Sequence, residues 1–466
     1  MYSRQSRSPC VTKSGTFYYP YYLAYATGVL ERAGFEVKLL DAVAEGMTHQ
    51  DAINFAAEFK PDVLVTDTST PSIYNDAKIS DEIKTLTGCF VVLVGTHPTA
   101  LPEETFGLGN IDAVCRGEYD YTLLDLVRKL ESGGKPDLVD GISYRKDGKI
   151  HHNKNRDLIE NLDDLPFVSV VYKKHLNIRK YFYASLMHPQ ITILTARGCP
   201  YNCSFCNAPF KNSYRTRSVE NVANEFEWIN KNLPEVREIM IEDETFPVNK
   251  KRVLDLCREL KKRGIGIKWS CNARVNTDFE TLDAMGGAGC RLMCVGFESP
   301  DQTSLDVINK KTTKDMQLEF MKNSKRAGLL VNGCFILGLP GDTKETIKRT
   351  VNFAKELRPD TAQFYPLMAY PGTSAYKWAK DNGLLITEDF SKWVTKNGMH
   401  NTVISRPGLT DMELVELCDE ARRQFYARPS YVLSKLGQIL RHPKETKRVL
   451  KAGKRFLPTI LREKNV

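Results

Sequence analysis

Three cysteines, Cys199, Cys203 and Cys206, stand in the stretch TARGCPYNCSFCNAP with C-x3-C-x2-C spacing, directly after an apolar run that reads as a strand. Thiolates are the ligands that iron–sulfur clusters require, and three on one loop can hold three of the four irons of a cubane. The fourth iron is then open to a small molecule. Two other chemistries use the same residue types. A structural zinc ion would want a fourth Cys or His nearby, and His188 lies upstream, across the strand. Buried thiols without metal are the third reading, and it suits Cys89, Cys257, Cys271, Cys294 and Cys334, each alone in an apolar run. Twelve cysteines in 466 residues, without scaffold-like spacing, do not make a disulfide framework.

A loop of this kind needs a rigid support. From 190 to about 370, six strand candidates alternate with helical patterns: Ile191–Ala196, Glu238–Glu242, Ile267–Ala273, Leu292–Glu298, Leu330–Leu337 and Thr361–Leu367. That is a (β/α)6 run, shorter than the eight units of a closed barrel, and sites in such folds lie at the carboxyl ends of strands. Asp243 and Glu244 end the second strand, Arg274 the third, Glu298 the fourth, and Gly338-Leu339-Pro340-Gly341 the fifth. Helix capping is the plainer role for the acids, Asp243 or Glu244 for a helix beginning near Asn249 and Glu298 for one starting at Asp301. Gly286-Gly287-Ala288-Gly289 follows a helix and precedes a strand, so it reads as a helix stop and not as a phosphate loop.

Ahead of this run, short apolar strands and helices alternate again. Tyr21–Ala33 reads as a helix that Gly34 stops. Val37–Leu40 (strand), His49–Phe59 (helix), Val63–Asp67 (strand), Asn75–Thr85 (helix), Phe90–Gly95 and Ala113–Arg116 (strands) and Thr122–Glu131 (helix) follow, a parallel α/β pattern. Residues 142–190 form a polar connector with two short strand-like pieces and Pro166. The expected organisation is an α/β domain over 1–145, a linker over 146–190, the partial barrel over 191–400 and a helical basic region over 401–466.

With these residues in view, the chain resembles the radical S-adenosylmethionine (SAM) superfamily, whose signature is C-x3-C-x-aromatic-C, with Phe205 as the aromatic. The resemblance covers roughly 190–400. It implies a 4Fe–4S cluster on Cys199, Cys203 and Cys206 whose open iron chelates SAM, and reductive cleavage of SAM to methionine and a 5′-deoxyadenosyl radical. It places the SAM amino group near Asp243 and Glu244, the SAM carboxylate on Arg274, the ribose hydroxyls at Glu298, and the adenine against the backbone of Gly338 to Gly341.

The N-terminal region resembles the cobalamin-binding domain of B12-dependent radical SAM enzymes, such as the magnesium-protoporphyrin ester cyclase-like and hopanoid-modifying members. VVLVGTHPTALPEE sets Gly95, Thr96 and His97 just past a strand, and AVCRGEYDYT does the same for Gly117 and Glu118. Open parallel sheets bind ligands beyond these strand ends. TDTST, with Thr68 and Ser69, closes the third side with hydroxyls. A D-x-H-x-x-G motif is lacking, so the resemblance implies a base-off, His-off cobalamin with His97 as an orienting loop histidine. The family domain usually opens with an apolar strand ending in Pro-Pro; here only polar residues precede Pro9, so the sheet either lacks that strand or the sequence starts late.

The fold class expected is therefore α/β, a Rossmann-like cobalamin-binding domain, a partial radical SAM barrel and a helical tail. The implied activity is C-methylation of an unactivated carbon, with cyclisation or rearrangement as the alternative within the family. A cobalamin sensor without catalysis would need no cluster, and a cobalamin-independent enzyme acting on RNA would carry a recognition fold that the sequence lacks. The +9 net charge belongs to the tail: residues 421–466 carry thirteen Lys or Arg against Glu445 and Glu463. Leucines, aromatics and cations interleave there, which fits a lipid surface and hints at a lipid or envelope-precursor substrate; a face packed on the barrel, or contact with nucleic acid, are the other readings of the same pattern. The other partner implied is a flavodoxin- or ferredoxin-type electron donor; no nucleic acid is expected. No apolar run approaches the ~20 residues that span a bilayer, and MYSRQSRSPC has no apolar signal core, so a cytoplasmic protein is expected.

Overall fold

The computed structural model describes residues 16–394 and 401–441, with isolated positions at 446, 450 and 453. Two sheets dominate. The first has the order β1-β2-β3-β4-β5, from Val63–Thr68 (β1), Phe90–Gly95 (β2), Ala113–Cys115 (β3), Ile142–Lys146 (β4) and Lys149–His152 (β5). β1, β2 and β3 are parallel, with Val63 opposite Phe90 and Val92 opposite Ala113. β4 pairs antiparallel with β3 and β5 antiparallel with β4, the second pairing continuing to Lys146 opposite Lys149. The turn between them is Asp147-Gly148, both left-handed, the pair that a two-residue hairpin favours. The two strand-like pieces of the connector thus complete the first sheet.

Val37–Leu40 is not a strand. A strand needs a neighbour for its N–H groups; here the Leu39 N–H donates instead to Nδ1 of His175. Among the described residues, β1 is an edge of the sheet and no strand precedes it.

The second sheet holds six parallel strands in chain order, Gln190–Ile193 (β6), Glu238–Ile241 (β9), Lys268–Ala273 (β10), Cys290–Glu298 (β11), Leu330–Leu337 (β12) and Thr361–Pro366 (β13). A two-residue ribbon, Ala196–Arg197 (β7) with Arg215–Thr216 (β8), stands apart from it. Helices connect the long strands. Their starts are fixed by side-chain caps from Ser218, Asn249, Asp278, Asp301, Thr313 and Thr343, each satisfying an N–H that the helix leaves open. Asn249 and Asp301 therefore fill the capping roles considered for Asp243, Glu244 and Glu298. After β13, Asp411–Tyr426 packs on the sheet edge, where the Tyr426 hydroxyl bonds both N and O of Ala362. Helix Pro429–Arg441 follows, and most of the basic stretch beyond it lies outside the described residues.

The two sheets share a boundary. Helix Tyr21–Arg32 packs between Asp120–Glu131 and Val168–His175, and the Tyr25 hydroxyl reaches O of Leu194 at the end of β6. On the far side Tyr370, Phe390, Trp393 and Val403, all from beyond the barrel strands, share a core with Ile73 and Leu93 of the first domain.

Candidate functional site

The cysteine loop begins where β6 ends, and its base is tied down at several points. The Asp243 carboxylate accepts from Thr195 N (2.6 Å), Thr195 Oγ1 (2.5 Å) and Ala196 N (3.0 Å). Arg252 donates to Thr195 O (2.8 Å). β7 and β8 then clamp the two ends of the loop. Gly198 has φ +85°, and a Cβ there would lie 1.9 Å from the Ser213 carbonyl oxygen, so backbone passes against backbone. Ser204 and Asn202 are held from outside by the Ile308–Asn309 turn: Ser204 N donates to Ile308 O (3.0 Å) and Asn309 Nδ2 to Asn202 O (2.9 Å).

The three thiols gather on this loop. Burial pushes the Cys199 thiol up, opposed by a backbone hydrogen bond at Tyr201 and reinforced by Cys206, Glu244 and Cys203. Ala208 N donates to Cys206 Sγ (3.4 Å), and Arg274 Nη1 lies 3.6 Å from Cys203 Sγ. Among the described residues, no three His, Cys, Asp or Glu side chains converge as they would on one metal ion. A cubane puts each thiolate on a different iron, and three thiols with N–H and guanidinium donors beside the sulfurs suit it. Phe205 packs on an apolar cluster with Ile308 and Leu339, with Lys310 Nζ 5.9 Å from its ring centre.

The strand-end residues divide into those that face the loop and those that hold it. Asp243 is buried with both oxygens committed to the base of the loop, so the expected contact to the SAM amino group does not suit it. Glu244 stands beside Cys199 and Tyr22. Arg274 stacks its guanidinium 3.8 Å from the Tyr201 ring centre, donates to the Lys310 carbonyl, and keeps a buried Nε with no partner among the described residues. Glu298, left-handed at φ +62°, pairs with buried Lys310 at 2.6 Å. Gly338 (φ +85°) has Leu414 over it, while nothing lies within 4 Å of a Cβ at Gly341 (φ +87°). Asp342 braces that turn by accepting from Gly338 N and Leu339 N; its burial pushes the carboxyl up.

Across the gap, β1, β2 and β3 end in Thr68-Ser69-Thr70, Gly95-Thr96-His97 and Arg116-Gly117-Glu118. Gly95 (φ +113°) runs so close to β1 that a Cβ would lie 2.2 Å from the Thr68 carbonyl oxygen. Thr68 Oγ1 donates to Asp76 (2.7 Å), and Ser69 N donates to Ser72 Oγ (3.2 Å). Gly117 is left-handed with open space at its Cβ position, and its N–H donates to Thr99 Oγ1 (3.0 Å). Thr96 opens a short helix, Thr96–Ala100. His97 is buried, with Nδ1 3.2 Å from Thr70 Oγ1, Nε2 2.8 Å from Glu104 and its ring edge-on to Phe390. Both nitrogens are thus engaged within the domain. The open Gly117 turn, the close-packed Gly95 backbone and the short hydroxyl side chains fit a broad, flat, amide-bearing ligand such as a corrin.

Glu118 does not face that space. Its carboxylate accepts from Arg197 (2.8 Å), Arg215 (2.7 Å) and Ile159 N (2.8 Å). Asp120 takes Arg197 in a two-pronged pair at 2.7 and 3.0 Å. Tyr22 and Tyr25 lie 5.3 and 5.1 Å from the Arg197 guanidinium. Sequence reasoning gave no role to Arg197, Asp120, Arg215 or Lys310. A buried arginine two positions before the first cysteine of the loop asks for a carboxylate, which is a signal, but nothing local says where that carboxylate sits.

Residues 193–354 match the family described as the Radical SAM superfamily, and residues 7–127 match the B12 binding domain. An uncharacterized methyltransferase of Pyrococcus horikoshii is 34% identical over 424 residues, 90% of each chain. The anaerobic magnesium-protoporphyrin IX monomethyl ester cyclase of Rubrivivax gelatinosus is 29% identical over 89% of this chain and 74% of its own. Among solved structures, the radical SAM methyltransferase TsrM of Kitasatospora setae, with cobalamin and a [4Fe-4S] cluster bound, superposes with a TM-score of 0.69 at 18% identity, covering 88% of this chain and 87% of that one. The chain belongs to the cobalamin-dependent radical SAM enzymes, which work with an iron–sulfur cluster, SAM and cobalamin.

Proposed function

We propose that the protein methylates an unactivated carbon of a lipid or envelope-precursor substrate. The observation that carries the reading is the Glu118–Arg197 contact, which sets the cysteine loop against the glycine and hydroxyl loops of the first sheet. When bound, the cluster supplies the electron for SAM cleavage and cobalamin carries the methyl group. The chain's own residues bind and orient. Cys199, Cys203 and Cys206 hold the cluster; the free Arg274 Nε is a donor for the SAM carboxylate. Glu244 would meet the amino group, Glu298 the ribose, and the Gly338–Gly341 backbone the adenine. Thr68, Ser69, Gly95, Thr96 and Gly117 would hold the corrin, and His97 would orient its loop from within. Asp243 and Glu118 act on these groups through the backbone and arginines that they hold.

The lipid assignment rests on helix Pro429–Arg441. Leu433, Leu436 and Leu440 are 67%, 53% and 81% exposed, at spacings that share one helical face, and the surrounding tail is strongly basic. No helix among the described residues is long and apolar enough to cross a membrane, so contact would be peripheral. Cutting the chain at about 420 should abolish pelleting with anionic vesicles yet leave SAM cleavage intact, and replacing these three leucines by Gln should weaken it; equal pelleting of full-length and truncated chains, or none of either, excludes the membrane role.

The similarity to a cyclase keeps ring formation as the second reading. One experiment separates them. Anaerobically reconstituted protein, a low-potential flavodoxin or ferredoxin as donor, hydroxocobalamin and SAM with a deuterated methyl group are incubated with a membrane lipid extract. A product that gains the labelled methyl supports methylation. A product that loses two hydrogens without label supports cyclisation. SAM cleavage with no lipid product rules out the lipid substrate class.

A further inference from the structure

Arg197 and Arg215 are directly opposed across the β7–β8 ribbon. Like charges in that position repel, and here both guanidinium groups are largely or wholly removed from water, at 1% and 14% side-chain exposure. The ribbon is the clamp at the base of the loop that carries all three cysteines. Its repulsion is offset by two carboxylates: Asp120 takes Arg197 in a two-pronged pair, and the Glu118 carboxylate bridges, with one oxygen on each arginine. The bridging carboxylate does not come from the barrel. It comes from the turn after β3, next to Gly117, whose N–H is tied to Thr99 in the loop after β2. The same turn therefore borders the corrin-facing loops and neutralises the clamp of the cysteine loop.

We propose that Glu118, with Asp120, is a positioning residue that couples the two cofactor sites, so that cobalamin in the first domain and SAM at the cluster alter each other's affinity through the Arg197–Arg215 ribbon. The route is short and physical. A corrin seated against Gly95 and Gly117 fixes the backbone that carries Glu118; Glu118 fixes the spacing of Arg197 and Arg215; the ribbon fixes the ends of the cysteine loop. The inference needs both cofactors but no substrate, so it stands or falls independently of the methylation reading.

The test uses the full chain with its cluster reconstituted. SAM is titrated against the paramagnetic signal of the reduced cluster, with and without hydroxocobalamin, and cobalamin is titrated by absorbance, with and without SAM. In the unmodified protein cobalamin should change the SAM dissociation constant by roughly fivefold or more, a common size for coupling between sites. SAM must change the cobalamin constant by the same factor, because coupling is reciprocal. Glu118→Gln should bring both ratios close to one. Where Glu118→Gln alone loses iron, the double variant Glu118→Gln with Arg215→Gln carries the test. It removes one opposed charge together with its partner and leaves Arg197 on Asp120, so it should regain the cluster while its ratios stay close to one. No coupling in the unmodified protein, full coupling in either variant, or failure of the double variant to hold iron overturns the proposal.

Discussion

The carboxyl ends of the two sheets meet at one boundary, but they are furnished differently. The barrel end is dense with sulfur and charge, and almost every such group has a fixed partner: Asp243 on Thr195, Glu298 on Lys310, Arg274 on Lys310 and Tyr201. Among the described residues, five of the eight non-glycines with left-handed backbone, Phe210, Asn212, Glu298, Asn309 and Lys311, lie there. The first sheet ends in small hydroxyls and glycines, and its left-handed positions at this edge, Gly95 and Gly117, are glycines only. The difference follows from what each end must hold. A cluster and a small charged nucleoside need particular side-chain atoms at particular points, and strained backbone is tolerated to supply them. A large preformed macrocycle needs a surface of the right shape, which backbone and small side chains provide.

The comparison is broken most severely at the cysteines. Replacing Cys199, Cys203 and Cys206 together by Ala should take iron from about four per chain, the content of a cubane, to near zero and abolish SAM cleavage, while cobalamin still binds. Iron and sulfide analysis after anaerobic reconstitution decides it. Full iron in the triple variant would remove the basis of the whole barrel-end assignment.

A pair of glycine substitutions sharpens the contrast, because each sits against backbone in its own region. Gly198→Ala puts a Cβ 1.9 Å from Ser213 O at φ +85°, a strain on the order of 3 kcal/mol or more, and should cost most of the iron without touching cobalamin. Gly95→Ala puts a Cβ 2.2 Å from Thr68 O at φ +113°. It should weaken cobalamin binding by about tenfold, or 1.4 kcal/mol, with iron unchanged. If the two effects crossed, the assignment of one cofactor to each end would fail.

The barrel's strands and the cysteine motif were legible because both are carried by local pattern: apolar runs at regular intervals, and thiols at fixed spacing. Direction was not. Asp243 and Glu118 were located correctly at strand ends, yet their carboxylates turn to Thr195 and to Arg197, because a buried donor claims the nearest acceptor and no local pattern names that donor. Val37–Leu40 reads as a strand from its alternation, but pairing needs a neighbour that the described chain does not supply. The β4–β5 hairpin reads in the sequence only as two strand-like pieces of a connector, although Asp147-Gly148 between two short apolar-polar runs is the local signal that joins them. Lys310 had none: it lies on a connecting turn, and only the fold brings it to Glu298.

The smallest expected effect concerns His97, the one imidazole among the loops of the first sheet. A histidine that ligates cobalt needs a free ring nitrogen. Here Nδ1 meets Thr70 and Nε2 meets Glu104, and Phe390 covers the ring. To reach a ligand, the side chain would give up both contacts and leave a core position. Cobalamin reduced to its paramagnetic cobalt(II) form on the protein should therefore show no nitrogen splitting from the protein, and His97→Ala should leave that spectrum unchanged. The substitution still empties a buried position and strands the Thr70 hydroxyl, so thermal stability should fall by about 1–3 kcal/mol, with cobalamin affinity reduced only as far as the loop loosens. A nitrogen splitting in the unmodified protein that disappears in His97→Ala would show that the ring does leave Thr70 and Glu104 for cobalt. The first sheet would then contribute a specific side-chain atom, as the barrel end does, and the contrast between the two regions would be lost.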